Sequence, residues 1–449
     1  MNADFDLAEP IRHWAFEIQR IEGVWQVIKG VKGAPDILPE DSGKWRALET
    51  VARDVLDRYG YAEIRTPVFE RTELFIRGIG EGTDIVEKEM YTFEDRGGES
   101  LTLRPEATAS LIRAYVEHSL SARSTLGKIY LIGPMFRHER PQSGRFRQFH
   151  QIDAEAVGSP GPAVDAEVVA LLHHLLEAWG LQGISLHLNT IGDPVCRPAY
   201  REAFVAFARA HWTDLCPDCH VRLEKNPLRI LDCKVPTCQQ IAAGAPTISA
   251  YLCAPCREHF ATVRSLLEGL KIEHAVNERL VRGLDYYTRT TFEFLNPALG
   301  SQNAVAGGGR YDGLVEEIGG PRTPAIGFAV GEERILASLA MQRSMDEAAN
   351  YTGVYVATAG AEVFPTAFDL AQTFRKRGLR VAVDLEARSL KSQLRQANKD
   401  RYRYSVILGT DELARGEATL KDMISGEQRG VPLGELVDRL TRLPAREYA

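Results

Sequence analysis

The sequence predicts an α+β fold: a core built on an antiparallel sheet, a helical insertion within it, and a small α/β domain at the C-terminal end. Three observations predict it. Strand-like segments cluster between residues 61 and 329 without regular strand–helix alternation. Residues 193–271 lose long strands and become helical and rich in Cys and Pro. Beyond the polar stretch MQRSMDEAAN, 341–350, strands and helices alternate. At 449 residues the chain is too long for one ordinary core. The predicted division is an N-terminal extension 1–26, a core 27–340 holding the insertion 193–271, a linker 341–351 and a domain 352–449.

The extension is amphipathic, with Trp14, Phe16, Ile18, Ile21 and Trp25 among charges. Trp45, Leu48, Val51, Val55 and Leu56 recur at helical spacing, and Gly60 ends that helix. Alternation then predicts strands at 61–67 and 100–104, a helix at 107–118, and two strands at 129–134 and 148–157 joined by a charged turn. A helix at 165–180 and a strand at 184–188 precede the insertion. Strand signals return at 290–295 and 325–329, separated by GGGR at 307–310, and a helix starts at Glu332. In the last domain the expectation is strand 354–357, helix 363–377, strand 380–383, helix 389–399 and strand 406–408.

Hydrophobic residues are 44% and charged residues 26%, a soluble globular profile. No apolar run is long enough to span a bilayer, and MNADFDLAEP lacks the pattern of a signal peptide, so a cytoplasmic location is expected. The net charge of −7 excludes a generally sticky nucleic-acid binder. It hides an asymmetry, because residues 375–403 hold ten Lys/Arg against three acids. Such a window is either a solvated helix face or a surface for RNA or phosphate.

Five segments carry candidate chemistry. In FRHERPQSGRFRQFHQ, 136–151, Arg137, Arg140, Arg145 and Arg147 flank a turn marked by Pro141, Ser143 and Gly144. Arginine grips phosphate with a fixed fork of donors, and a phosphorus centre under attack gains charge that such donors stabilise. The bland alternative is a solvated basic hairpin. RPEAT, 104–108, sets Glu106 and Thr108 at a strand-to-helix junction. There the acid can pair with an ammonium, or simply favour the helix dipole. LVRGLDYYTRTT, 280–291, and AGGGRYDG, 306–313, offer adjacent tyrosines with an Arg and an Asp, and glycines that let a ligand approach the backbone. GFAVGEERIL, 327–336, runs from a strand into a helix carrying Arg334, a ready anion site.

Taken in this order, the segments resemble the class II aminoacyl-tRNA synthetases. The helix–strand unit ending at Pro67 is similar to motif 1, the 136–151 stretch to motif 2 and 327–336 to motif 3. LVRGLDYYTRT and AGGGRYDGL are similar to the two signatures of the histidine-specific family, and KGAPDILPED, 32–41, resembles its opening. The likeness runs from about residue 27 to the end, with 352–449 resembling the anticodon-binding domain of subclass IIa.

The resemblance implies a ligase that uses ATP and Mg²⁺ to activate L-histidine and charge tRNA(His), acting as a homodimer. Glu106 would receive the histidine ammonium, aided by Gln151, with Thr108 and Tyr286 lining the pocket. Glu155 and Tyr287 would hold the imidazole, whose neutral ring needs one acceptor and one donor. Arg137 and Arg334 would bind ATP phosphates and Arg145 would position the nucleotide. Arg282 would face the α-phosphate and, with Arg137, stabilise the charge developing there. Gln142 would touch the tRNA acceptor end. Arg388, Lys391 and Arg395, spaced to share one helix face, would contact RNA. The alternative is a non-catalytic regulatory paralog acting in histidine biosynthesis; a synthetase for another amino acid is opposed by the two histidine-type signatures.

Six of the seven cysteines lie between Cys216 and Cys256. Two C-x₂-C knuckles, Cys216/Cys219 and Cys253/Cys256, predict a structural Zn²⁺ on those four thiolates. Their 33-residue gap exceeds ribbon spacing, and the alternative is buried free thiols.

Overall fold

The structure is a computed structural model describing residues 27–80, 82–139, 144–281, 284, 286–342 and 351–442. The amphipathic 1–26 extension and the expected contacts of Arg282 and Gln142 lie outside the described residues.

The core is an eight-stranded sheet. From one edge to the other its strands are Ala62–Glu63, Gly127–Phe136, Gln148–Val157, Ala325–Gly331, Ala304–Tyr311, Thr288–Leu295, Ser185–Thr190 and Ala275–Val276. The six inner strands are antiparallel, as expected. Only the two-residue edge strands pair in parallel. The GGGR segment, expected to let a ligand approach the backbone, lies in a strand in the middle of this sheet.

Register assigns the two faces. Glu155 pairs with Gly327, and Gly327 with Gly309, so these three share a face with Gln151, Asp153, Gly307 and Tyr311. The opposite face carries Ile152, Ala154, Ile326, Phe328 and Val330, which join the largest apolar cluster. Three helices cover that side, Pro39–Arg58, Pro162–Ala178 and Glu332–Gln342, through residues such as Leu48, Leu171 and Ile335. Pro at the first turn starts the first two helices, where a missing N–H costs nothing. Arg310 points to the same side and is fully buried. Its guanidinium grips Asp165, which also accepts from His259 Nε2 at 2.8 Å. This triad ties the central strand to helix Pro162–Ala178 and to helix Ala254–Gly269.

Over the bare face lies helix Thr108–Glu117, packed through Leu111, Ile112 and Tyr115. A separate three-stranded sheet of Phe69–Arg71, Ser100–Leu103 and Tyr91–Glu94 adjoins it. Strand 100–103 therefore belongs to this small sheet, and its two partner strands were invisible as alternating patterns.

The insertion is helical as expected, with helices Arg197–Ala210, Pro217–Lys225, Pro236–Ala243 and Ala254–Gly269. The last of these sends Val263 and Leu267 into the main core. The C-terminal unit has a five-stranded sheet, ordered Val381–Val383, Val354–Ala359, Tyr404–Gly409, Glu417–Asp422 and Gln428–Pro432. Its first three strands are parallel, as the alternation implied, and the last two are antiparallel additions.

Candidate active site

The stretches singled out in the sequence meet in one cavity of about 240 Å³. Its walls take Glu106 and Thr108 from the RPEAT turn, Arg137 and Arg145 from the motif 2-like hairpin, and Gln151 and Glu155 from the return strand. They take Tyr286 and Tyr287 from the first histidine-type signature, Gly307 and Tyr311 from the second, and Arg334 from the motif 3-like helix. A second cavity of about 770 Å³ shares Gly144, Arg145, Phe146, Glu333 and Arg334 with it, and Gly33–Asp36 of the opening segment line its far side.

The carboxylate end is built by backbone geometry. Glu106 caps the helix that follows, its two oxygens accepting the amides of Thr108 at 2.8 Å and Ala109 at 2.9 Å. Glu106 thus serves the helix end, as one of its two expected readings had it, and it also lines the cavity. Glu155 accepts the Thr108 hydroxyl at 2.7 Å on one oxygen and the Tyr311 hydroxyl on the other. A Cβ on Gly327 would sit 1.6 Å from Glu155 Oε2, so only glycine leaves space for this carboxyl. Asp153 stands between Gln151 and Glu155 on the same face, fully buried.

Burial raises all three acids. It pushes Glu155 up to about 8 against the lowering effect of Thr108 and Tyr311. It also raises Glu106 against the Ala109 and Thr108 donors, and raises Asp153 well above the usual carboxylate range, helped by the charges of Glu155 and Glu106. Arg104 and Arg137 offset this only in part. Gln151 Oε1 and Asp153 Oδ2 are buried with no hydrogen-bond partner among the described residues. Such an end attracts a cation that brings its own donors.

The opposite end is cationic. Arg137 is aimed by its Nε, which donates to the Pro105 carbonyl at 2.8 Å, and its guanidinium lies 5.1 Å from the Phe149 ring centre. Arg145 pairs with Glu139 at 3.0 Å. Arg334 donates to the Ala304 carbonyl at 2.5 Å and to the Gly144 carbonyl at 3.4 Å. Burial lowers its pKa, and the neighbouring charges of Arg145 and Arg137 lower it further, which is the electrostatic signature of three guanidiniums converging. The hairpin is fixed from outside as well, because the Gly33 carbonyl accepts the Arg147 amide at 2.6 Å. Aromatic rings wall the middle, with Tyr286 4.6 Å from Tyr287 and 5.4 Å from Tyr311, centre to centre.

Sequence reasoning missed Tyr311 as a pocket residue and Asp153 as a buried acid on the same sheet face. Both were accessible from strand alternation, since Asp153 lies midway between Gln151 and Glu155. Two expectations need correction. The knuckle cysteines Cys216/Cys219 and Cys253/Cys256 do not share a site: the first pair clusters with Cys233 and Cys238, the second with Cys196 and Asp193. The first set closes locally, from Cys216 to Cys238, whereas the second joins the two ends of the insertion, Cys196 to Cys256, across a longer loop than the gap between the knuckles. Arg388 does not share the face of Lys391 and Arg395 either. It precedes helix Leu390–Lys399, whose cap is Ser389, and pairs with Asp384 at 2.6 Å. Lys391 and Arg395 are exposed on that helix.

An antiparallel sheet with one face cleared by glycines, acids at one end of its cavity and arginines at the other, is the class II aminoacyl-tRNA synthetase arrangement. The family profile "Histidyl-tRNA synthetase" matches residues 33–193 and 239–335, and "Anticodon binding domain" matches 353–443. The chain belongs to the histidyl-tRNA synthetase family. It is 52% identical to a histidine–tRNA ligase of Moorella thermoacetica, over 91% of this chain and 96% of that protein. Identity to the enzyme of Geobacter metallireducens is 50%, over 91% and 98%. The crystal structure of apo S. aureus histidyl-tRNA synthetase aligns with TM-score 0.77 and 35% identity, covering 93% of this chain and 100% of that one. A Bacillus halodurans structure described as an ATP phosphoribosyltransferase regulatory subunit/histidyl-tRNA synthetase shares the fold, with TM-score 0.63 and 19% identity over 86% of this chain and 100% of that one.

Proposed function

We propose that the chain ligates L-histidine to tRNA(His) at the expense of ATP, through a histidyl-adenylate. One observation carries this: residues from distant stretches form a single cavity with a buried acidic end, an aromatic middle and a guanidinium end. Kinship with histidine–tRNA ligases along nine-tenths of the chain supports it. So does the matched anticodon-binding domain, which favours the catalytic synthetase over a regulatory paralog.

In this reading Glu106, with Gln151, takes the histidine ammonium, while Glu155 and Tyr287 hold the imidazole beside Thr108 and Tyr286. The histidine carboxylate then faces the cationic end. Arg137, Arg145 and Arg334 hold ATP there, and Arg282 is assigned to the α-phosphate by its signature. The carboxylate oxygen bonds to the α-phosphorus and pyrophosphate leaves. Arginines fixed beforehand stabilise the growing charge without reorganising. A terminal ribose hydroxyl of the tRNA next attacks the adenylate carbonyl and AMP leaves. Glu139 and Glu333 on the cavity walls are the oxygen donors suited to Mg²⁺, which would neutralise phosphate charge.

Lys391 and Arg395 contact the tRNA, with Arg388 and Gln142 as further RNA contacts. Residues 27–340 with the insertion 193–271 form the catalytic unit, 341–351 the linker and 352–449 the anticodon unit. The chain works as a homodimer; exposed Val68, Phe69 and Phe93 near the motif 1-like unit support an interface. Among the described residues no helix is long and apolar enough to cross a membrane, and the proposed role belongs to the cytoplasm. Pyrophosphate exchange driven by each amino acid in turn tests the reading. Exchange with histidine alone is expected, and none with histidine overturns it.

A further inference from the structure

All seven cysteines of the chain are free thiols, and none lines the catalytic cavity. They gather at two points. The Sγ atoms of Cys216, Cys219, Cys233 and Cys238 all lie within 4.8 Å of one another. So do the ligand atoms of Asp193, Cys196, Cys253 and Cys256.

The separations carry the argument. A tetrahedral zinc with Zn–S of about 2.3 Å sets its sulfurs about 3.8 Å apart, and a carboxylate oxygen about 3.5 Å from each sulfur. Cys216 Sγ is 3.8 Å from Cys233 Sγ, and Cys196 Sγ is 3.9 Å from Cys256 Sγ. Asp193 Oδ1 lies 3.4 Å from Cys196 Sγ and 3.9 Å from Cys253 Sγ. A disulfide would need about 2.05 Å. Backbone amides already serve the sulfurs: Cys216 N donates to Cys238 Sγ and Asp193 N to Cys196 Sγ, both at 3.3 Å. Each knuckle opens a helix, with Cys216 and Cys253 as the N-caps. Gly192, at φ +65°, leaves room for Cys196 Sγ, which a Cβ there would meet at 2.7 Å. Thiols used merely as small apolar residues would spread through the core. Here they make up five of the fourteen buried residues in the insertion's own cluster, a core too small to hold without a staple.

We propose that the insertion binds two structural zinc ions, one on Cys216, Cys219, Cys233 and Cys238, the other on Asp193, Cys196, Cys253 and Cys256. Four protein ligands leave no open position, so neither centre is catalytic. Binding releases the thiol protons, and each centre carries a net charge of about −2. At the second centre Arg289 meets that charge, donating to Asp193 at 3.3 Å. Arg197, next to Cys196, donates to the Tyr287 carbonyl at 2.7 Å. The second zinc thus braces the segment that carries Tyr286 and Tyr287, a consequence that rests on the proposed histidine pocket.

Metal analysis of the full-length chain, purified without chelators, tests the proposal independently of activity. Two zinc ions and no iron per chain are expected, with one remaining in Cys238→Ser and one in Cys253→Ser. A single ion per chain, lost in both variants, overturns the two-centre assignment in favour of one site spanning both knuckles. Less than one ion, or stoichiometric iron, overturns zinc altogether. Should a variant fail to fold, cobalt titration of the unaltered apo chain decides. Thiolate-to-cobalt charge transfer saturating at two equivalents supports the proposal, and its absence overturns it. The brace predicts that Cys253→Ser raises KM for histidine while Cys238→Ser does not. Equal KM values overturn that link and leave the zinc count to stand on its own.

Discussion

Changing Gly327 to alanine probes the acidic end of the cavity without altering any functional group. The added Cβ would meet Glu155 Oε2 at 1.6 Å, its Cδ at 2.4 Å and the Ala154 carbonyl oxygen at 2.6 Å. Ordinary contacts between carbon atoms lie at about 3.5–4.0 Å, so either the carboxyl shifts by about 1.5–2 Å or the two strands part. A shift of that size breaks the bonds from the Thr108 and Tyr311 hydroxyls. Leaving a buried polar group unsatisfied costs about 1–3 kcal/mol, so about 2–6 kcal/mol is at stake for the two bonds. The backbone clash converts part of this into lower global stability. If about half falls on histidine recognition, kcat/KM for histidine drops about 5–150-fold. Pyrophosphate exchange with histidine varied at saturating ATP measures it, with circular dichroism as the check on folding. The KM for ATP should stay unchanged, because the arginines lie at the other end. A folded variant with wild-type kcat/KM for histidine refutes the role given to the Glu155 floor.

Burial that lifts Glu155 to about 8 makes its ionisation unfavourable in the folded state. Its contribution to stability is complete below the unfolded value near 4.5 and is lost as pH rises through about 8. Thermal melts without ligand should therefore show stability declining across that window, with a shallower decline in Glu155→Gln; equal slopes contradict the assignment. Asp165 behaves in the opposite sense. Burial opposes its charge, but donors from His259 and Arg310 hold its pKa below the usual value. Stability from this group is present above the unfolded value and fails as pH drops through the folded one. Asp165→Ala strands a buried arginine and should cost about 3–5 kcal/mol in denaturant melts, so a loss below about 1 kcal/mol counts against the triad as a strut. Lys391→Glu with Arg395→Glu should cut aminoacylation by about tenfold and flatten its salt dependence, while histidine-dependent pyrophosphate exchange is untouched. A matching fall in exchange would show damage to the catalytic unit instead.

How legible the chain was depends on the range of the interaction that fixes each feature. The helix Pro39–Arg58 and the strand Gln148–Val157 were readable because burial imposes a local period, 3.6 in one and 2 in the other. Strand Ala304–Tyr311 was not, because its glycines have no pattern to show. They are glycines owing to neighbours far away in sequence: a Cβ at Gly308 would meet the Gly327 carbonyl oxygen at 2.0 Å, and one at Gly309 the Thr290 carbonyl oxygen at 2.7 Å. The cysteines failed in the same way. Spacing revealed the knuckles, but the partners of each depended on how the intervening helices fold back. Arg310 and Tyr311 make the contrast sharpest. They are adjacent in one signature, yet pleating sends the first to the rear of the sheet as a buried strut and the second to the front against Glu155.

The same cavity sorts its ligands by charge. Glu106 and Glu155, two acids whose ionisation burial opposes, share one end, and no described arginine or lysine forms an ion pair with Glu155 there. An amino acid arriving with its ammonium forward relieves that end, so its carboxylate points outward, toward Arg137 and Arg334. In the proposed reading ATP is held at that side by the same guanidiniums, whose mutual repulsion its phosphates would neutralise. Each substrate therefore removes an electrostatic penalty that the fold maintains by burying like charges together, at opposite ends of a cavity of about 240 Å³. In that reading the reaction occurs where the two relieved ends meet, and the glycine-cleared sheet face leaves room for both ligands close to the backbone. It follows that histidine and ATP should bind with positive coupling. Isothermal titration with a non-hydrolysable ATP analogue should show histidine affinity increasing when the analogue is present, and identical affinities would contradict this account.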